Sequence, residues 1–506
     1  MSDFEAYIVP ETPITHPGDK ISVSVLAETS KTTTVSLYSY RGLVAQLDLK
    51  PGVREYIIEL YAPRIPGYYE LTLKTSDSVI DRVKLRVVDA FNTTKRYLAL
   101  VWHHHQAPNY LPNGLYHALW AFIHTYSDEL APYSKGPYYH HAVVLNEHRE
   151  YRCTYNLSPS LVAQWVDLME RGIKHSAGVL GKNSPEAEIV RKTLELYREA
   201  ASRGQVDVLT SMYAHSIAGY LIDYLGAEDI VREEFEHGIE ITRKYIGMNP
   251  RGAWTPEMAF HMKLVEIYSD LGVEYTVLDN ECHLAHSTGD KGSHLEPYLV
   301  KGERGSLIVF FRDHEISNIL SFKNNFKGEL HAVRSAYDVV LKITERVLSG
   351  GSLIVALDGE NWMIFSQKPN LTALFYEKFV SYLEKTQRAG YLELSTLRDL
   401  LTKLAVRKVL RSIPTTSWLC GFTKWHGEVR EHEAYWERAK RVYSALREYE
   451  ARHGRDEISA RVRWALWHAL DSDYWWAEFW NPRVIDAWLR VAESLLESIT
   501  LKTPQR

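Results

Sequence analysis

The chain has 506 residues, more than one hydrophobic core usually serves, so two or three domains are expected. With 45% hydrophobic and 24% charged residues and a net charge of −5, it has neither the basic footprint of a nucleic-acid binder nor the polybasic patch of a membrane-surface protein. Its 14 Trp and 32 Tyr stand out, because a flat apolar face carrying a hydrogen-bond donor suits a sugar-binding cleft as well as an aromatic core.

The amino terminus, MSDFEAYIVPETP, lacks the apolar stretch of a signal peptide, and runs such as Leu307 to Phe311 are too short to span a bilayer. Cys153, Cys282 and Cys420 are widely spaced and form no CxxC pair or visible disulfide framework. A reducing, cytoplasmic setting is therefore expected. Oligomeric state is not readable.

Residues 1–92 alternate with period two in short segments: Lys20 to Leu26, Thr33 to Tyr38, Glu55 to Leu60, Tyr69 to Leu73 and Val83 to Val88. Turn signals such as Pro17-Gly18-Asp19 and Pro51-Gly52 separate them, which predicts an antiparallel sandwich, immunoglobulin-like in outline. Its strands show no exposed row of Trp, so a supporting role is expected over carbohydrate binding. Over residues 93–395 the pattern becomes strand–helix alternation. Strands are expected at Tyr97 to Trp102, Val206 to Leu209, Glu274 to Leu278, Ser306 to Phe311 and Ser352 to Leu357. Helices such as Ser184 to Arg203 and Ala227 to Tyr245 lie between them, and the alternation argues for a parallel barrel. No glycine-rich phosphate loop follows any strand, which argues against a nucleotide-binding sheet. Residues 396–506 read as largely helical, with Thr396 to Leu410, His432 to Gly454 and Arg483 to Leu501 as helices around a Trp-dense stretch, Trp464 to Trp480.

The chemistry gathers where the parallel strands end. Trp102-His103-His104-His105-Gln106-Ala107-Pro108 closes the first, and Tyr213-Ala-His215 follows the second. Arg251-Gly-Ala-Trp254-Thr-Pro256-Glu257 is a short irregular segment, Arg312-Asp313-His314-Glu315 closes the fourth strand, and Asp358-Gly359-Glu360-Asn361-Trp362 the fifth. Barrels place their chemistry at this rim. Two acidic residues, each beside an aromatic platform, are what hydrolysis of a sugar acetal requires.

These stretches resemble glycoside hydrolase family 57. His105-Gln106-Ala107-Pro108 is similar to the family's His-Gln-Pro motif with one residue inserted, and Trp254-Thr255-Pro256-Glu257 to its Trp-x-Pro-Glu segment. Asp358-Gly359-Glu360-Asn361 is similar to its Asp-Gly-Glu segment. Thr416-Ser-Trp418 through Trp425 to Glu428, and Ser472-Asp473-Tyr-Trp475-Trp476, resemble the α-amylase and amylopullulanase branch. Ala107 and the run Asn361-Trp362-Met363 depart from that branch.

The resemblance implies an α/β fold: an incomplete or distorted (β/α)7-type parallel barrel between an immunoglobulin-like sandwich and a helical region that completes the cleft. It implies retaining hydrolysis of α-glucans (starch, glycogen, pullulan or maltooligosaccharides), with Glu257 as nucleophile, Asp358 as acid/base and no cofactor. A partner glucan would be met by His105, Gln106 and His215 on its hydroxyls, and by Trp254 beneath a ring. Arg312 and Glu360 would help split the carboxylate pKa values, and Trp418, Trp425, Asp473 and Trp475 would add contacts from the C-terminal region. A 4-α-glucanotransferase or branching enzyme would use the same residues. Two other readings compete: a zinc-dependent barrel hydrolase using His103, His104, His105, His140, His141, Asp207 and Asp313, and a non-catalytic glucan-binding protein.

Overall fold

The computed structural model describes residues 4–500, with side chains through residue 497. The N-terminal region is two sheets around a shared core. Phe4–Pro10, Lys20–Thr29 and Gly52–Tyr61 form one antiparallel sheet. The other runs Ile14–Thr15, Val79–Val87, Gly67–Lys74, Thr33–Ser39, Gly42–Leu49, antiparallel except where Ile14–Thr15 joins in parallel. Alternation puts Val23, Val25, Val35, Leu37, Leu71, Leu73, Val83 and Leu85 inside. The sandwich is fastened to the helix Glu329–Arg346, where Arg334 pairs with Asp81 and the Tyr337 hydroxyl donates to Lys84 O at 2.7 Å.

Seven parallel strands make the central sheet: β1 (Arg96–His104), β2 (Cys153–Leu157), β3 (Val206–Leu209), β4 (Gly252–Ala253), β5 (Tyr275–Asp279), β6 (Ser306–Arg312) and β7 (Gly351–Asp358). Pairing runs in sequence order and returns from β7 to β1, which closes a barrel. Two joints are thin: Thr210 with Ala253 between β3 and β4, and Arg312 with Ile354 between β6 and β7. All nine residues of β1 are buried, as expected of a strand covered on both faces. The helix Pro185–Ser202 shows how the crossovers are specified. Ser184 caps it by accepting from Ala187 N at 3.2 Å, Pro185 opens its first turn, and Ala187, Val190, Leu194, Tyr197 and Ala201 give it one buried face.

Sequence periodicity finds five of these strands and misses two. The β2 sequence, Cys-Thr-Tyr-Asn-Leu, alternates polar residues that the fold buries and pairs, and β4 is only two residues long. The expected helix from Thr396 to Leu410 is split. Helix Leu397–Lys403 is opened by a capping box between Thr396 and Asp399, and Lys408–Ser412 is a strand pairing in parallel with Tyr298–Lys301. The other expected C-terminal helices are present as His432–His453 and Pro482–Thr500, with Glu457–Ala469 between them; Leu501 lies outside the described residues. Among the described residues no helix is long and apolar enough to cross a membrane.

The cysteine expectation is corrected. Cys282 and Cys420, 138 residues apart, are disulfide-bonded, while Cys153 is a buried free thiol. Such a pair leaves no local signature, since its partners meet only through the barrel, and the argument for a reducing compartment loses its basis.

Candidate active site

The segment 254–260 follows β4 and carries Glu257 in the left-handed region, φ 55° and ψ 17°, with Met258 also left-handed at φ 50°. Four of the five described non-glycine residues with positive φ belong to this end of the barrel: His215, Glu257, Met258 and Cys420. Backbone of this kind costs about 1–3 kcal/mol per residue and persists where surrounding contacts over-determine it. Those contacts are present. Phe260 N donates to Thr416 O, Trp418 N donates to Glu257 O, and the Trp418 indole donates to Glu257 Oε2 at 2.9 Å.

Asp358 ends β7 opposite His103 of β1, half-exposed, and its Oδ2 accepts from Asn361 Nδ2 at 2.9 Å. Gly359 then passes so close to the His104 ring that a Cβ would sit 2.2 Å from Cε1. Burial, then the negative charge of Asp358, push the Glu257 carboxyl up to about 8; donation from Trp418 pulls it the other way. The two carboxylates therefore share one electrostatic environment, in which ionising both together is disfavoured.

Beside them lies a stack of rings. His103 packs on Trp254 with centroids 4.6 Å apart and planes 12° apart, and His215 packs on His105 at 4.0 Å. Each imidazole is held from behind: His103 Nδ1 by Asn156 at 2.8 Å, His105 Nδ1 by Ser158 at 2.9 Å, His215 Nδ1 by Ser472 at 2.9 Å. Burial lowers the pKa of all three, so they are neutral at neutral pH and able to donate or accept. His105 Nε2 lies 3.4 Å from Asp473 Oδ2 without the alignment of a hydrogen bond, and His215 Nε2 and Trp254 Nε1 are buried without a partner among the described residues. Asp473 stays substantially exposed, reaching the rim from the C-terminal region. Gln106 is half-buried, its Oε1 accepting from Asn109 at 3.4 Å. Arg312 Nε donates to Asp279 Oδ2 at 2.7 Å, and its guanidinium carbon lies 5.5 Å from the centre of the Trp418 ring.

Three residues expected at the site are placed away from the substrate. Glu360 lies beneath the rim, accepting from His105 N at 3.3 Å and paired with His104 Nδ1 at 3.2 Å, so it props the first-strand motif from below. Trp425 and Trp475 have no exposed surface; Trp475 stacks on Trp436 at 4.0 Å and donates to Ala469 O at 2.8 Å. Both belong to the core joining the helical region to the barrel. Conversely, Glu234 was not foreseen. It accepts from Ala214 N and Ser216 Oγ, both at 2.8 Å, clamping the residues on either side of His215.

The zinc reading loses most of its ligands. His104, His140 and His141 pack in the aromatic interior, Asp207 pairs with Tyr275 and Arg398, and Asp313 caps the helix His314–Phe322. Among the described residues one triad, His105, His215 and Asp473, brings candidate ligand atoms within 4.8 Å of one another. Its two rings are stacked on each other at 4.0 Å, a geometry suited to gripping neighbouring hydroxyls of one ligand.

The molecule is thus a closed parallel barrel that carries two carboxylates on its C-terminal rim, the end at which such barrels place their sites. The chain belongs to glycosyl hydrolase family 57, whose model matches residues 91–416. Similar proteins include the 1,4-alpha-glucan branching enzyme of Thermococcus kodakarensis, 38% identical over 63 residues, 12% of this chain and 9% of that protein. The crystal structure of a family 57 branching enzyme from that organism shares the fold at TM-score 0.57 and 16% identity, over 79% of this chain and 88% of that one. The α-amylase AmyC of Thermotoga maritima matches at TM-score 0.58 and 13% identity, over 80% and 94%. The matched stretches span from 9% to 26% of the curated relatives' own lengths.

Proposed function

We propose that the chain cleaves α-glucosidic bonds in α-glucans with retention of configuration, through Glu257 and Asp358. The observation that carries this is the pair itself: two carboxylates, one on the rim segment after β4 and one at the end of β7, electrostatically linked, with Glu257 gripped by Trp418 beside the His105/His215 stack. Glu257 would attack C1 as Asp358 protonates the departing glycosidic oxygen, giving a glycosyl ester. Asp358 would then take a proton from the incoming hydroxyl, which breaks that ester and frees Glu257. His105, His215, Gln106 and Asp473 would hold the ring hydroxyls, and Trp254 would pack behind them. Water as acceptor makes the chain an amylase-type hydrolase; a second glucan makes it a transferase or branching enzyme, activities named for its relatives. Residues 4–87 would support the barrel as an immunoglobulin-like domain, with the barrel over 93–395 and the helical region after it.

One observation favours the reverse assignment. A carboxyl pushed up to about 8 holds its proton at neutral pH, which suits a donor better than a nucleophile. Azide separates the two. With Glu257 as nucleophile, Glu257→Ala plus azide yields a glycosyl azide of inverted configuration, and Asp358→Ala plus azide one of retained configuration. Exchanged outcomes reverse the roles. Unchanged turnover of soluble starch by Glu257→Gln removes Glu257 from the chemistry, and no turnover by the unmodified chain leaves a glucan-binding protein.

A further inference from the structure

The rim carries more aromatic surface than the reacting bond requires. Trp418, which grips Glu257, lies nearly parallel both to Trp476 (centroids 6.3 Å, planes 9°) and to Phe322 (6.5 Å, 20°). Phe479, at the end of the turn Ala477–Phe479 that follows Trp476, lies 6.0 Å from Phe365 with planes 22° apart. Four separate segments supply these rings: the last residue of helix His314–Phe322, the residue after helix Asn361–Ile364, the Trp418 loop, and the stretch 476–479.

The three phenylalanines are conspicuously bare. Phe322 is 66% exposed, Phe365 65% and Phe479 57%. This is no failure of local packing, because Trp362, three residues before Phe365, is only 3% exposed in the same short segment. The fold buries one aromatic there and presents the next. Scattered exposed apolar residues need no explanation, but here one ring group contains Trp418, which touches Glu257, and the second is tied to it where Phe479 N donates to Trp476 O, so together they mark a binding surface. Phenylalanine offers only a ring face, which matches the apolar face of a glucosyl unit and demands no particular hydroxyl pattern. The cations against this row, Lys424 over Trp476 and Arg312 over Trp418, are paired with Glu428, Glu478 and Asp279, so they offer little charge with which to select an ionic ligand.

We propose that Phe322, Phe365 and Phe479 form an extended site for a polymeric α-glucan, holding glucosyl units beyond those at the reacting bond. The proposal rests on the glucan-active reading above and names the substrate class within it: long chains, held by repeated ring faces outside the catalytic centre. Short oligosaccharides would occupy the centre without reaching these rings.

The test uses the full chain with Phe322→Ala, Phe365→Ala and Phe479→Ala, singly and combined, and a ring-retaining triple variant with Tyr at the same positions. Binding is read by retardation in native gels containing glycogen, in a Glu257→Gln background so that no product forms. Turnover is read as kcat/KM on amylose and on maltotriose. The expected result for the triple Ala variant is loss of gel retardation and a fall of about tenfold or more in kcat/KM on amylose. Maltotriose values should be unchanged, and the Tyr variant should keep both properties. Equal losses on both substrates, or retardation unchanged in the triple Ala variant, overturn the proposal. So does light scattering that finds a wild-type dimer dissociated by the Ala substitutions, since the rings would then meet a second copy. If the unmodified chain turns over no glucan yet is retarded through these rings, the catalytic reading fails and the binding surface stands.

Discussion

Replacing Trp418 by Phe keeps the ring and removes the indole N–H that donates to Glu257 Oε2 at 2.9 Å. A hydrogen bond to a charged group contributes about 1.5–3 kcal/mol, and about 1.4 kcal/mol corresponds to one pKa unit. Trp418 is the foremost of the contacts pulling the Glu257 carboxyl down against burial and Asp358, so its loss should raise that carboxyl from about 8 by a further one to two units. If ionised Glu257 attacks C1, kcat/KM follows its ionised fraction. The variant's profile on soluble starch between about pH 5.5 and 9.5 should then have its acidic limb displaced upward by that amount. Around pH 6.5, where the group is mostly protonated in both proteins, the loss should be about ten- to a hundredfold, narrowing as pH rises. A loss of constant size at every pH would show Trp418 acting only as a wall. An unmoved limb would refute the electrostatic link between Trp418 and the reacting carboxylate.

Glu257→Gln should stabilise the fold while abolishing turnover. The folded chain binds the Glu257 proton between the ordinary value of 4.5 and about 8, so folding weakens as pH rises through that window. The variant's Tm should exceed wild type at pH 8 and approach it near pH 5; the opposite trend would mean the carboxyl is not raised. Trp475→Ala should cost about 3–5 kcal/mol in denaturant unfolding while kcat/KM per folded molecule holds, because Trp475 is fully buried. Normal stability with impaired binding would return it to the substrate. Gly359→Ala should cost tenfold or more in kcat, because its Cβ would strike His104, which Glu360 and Tyr197 hold in place, and Asp358 must shift instead. Wild-type rates from Gly359→Ala would mean that Asp358 tolerates displacement. Exhaustive chelation should leave starch turnover intact; loss restored by zinc would revive His105, His215 and Asp473 as ligands.

Much of the rim was legible because carboxylates stand where apolar or short strand sequence ends. Asp358 closes a run of six buried residues, and Glu257 follows a Trp and a Pro in a segment too irregular for helix or strand. Tryptophan was the least reliable guide, since the residue type that suits a sugar face also suits a core. Trp418 and Trp475 sit in similar Trp-rich surroundings, yet one reaches Glu257 and the other stacks on Trp436. Supporting residues were invisible for another reason. Glu234, Ser158 and Ser472 have ordinary helical or loop contexts, and become meaningful only when the fold brings them to His215 and His105. Strand β2 was hidden because its Thr and Asn are satisfied by partners distant in sequence: Leu397 N for Thr154, His103 and Leu209 O for Asn156.

The Cys282–Cys420 bond makes a covalent ring of the chain between them, and that ring contains β6, β7 and Asp358. Closing a loop of 138 residues removes unfolded-state entropy equivalent to about 5 kcal/mol at 25 °C on the chain-entropy model. It also governs the outcome of a backbone cut. A protease nick anywhere between the two cysteines leaves a single molecule under oxidising conditions, with the two catalytic candidates still joined. The same nick followed by a dithiol severs the covalent link between Glu257 and the C-terminal region that supplies Trp418 and Asp473.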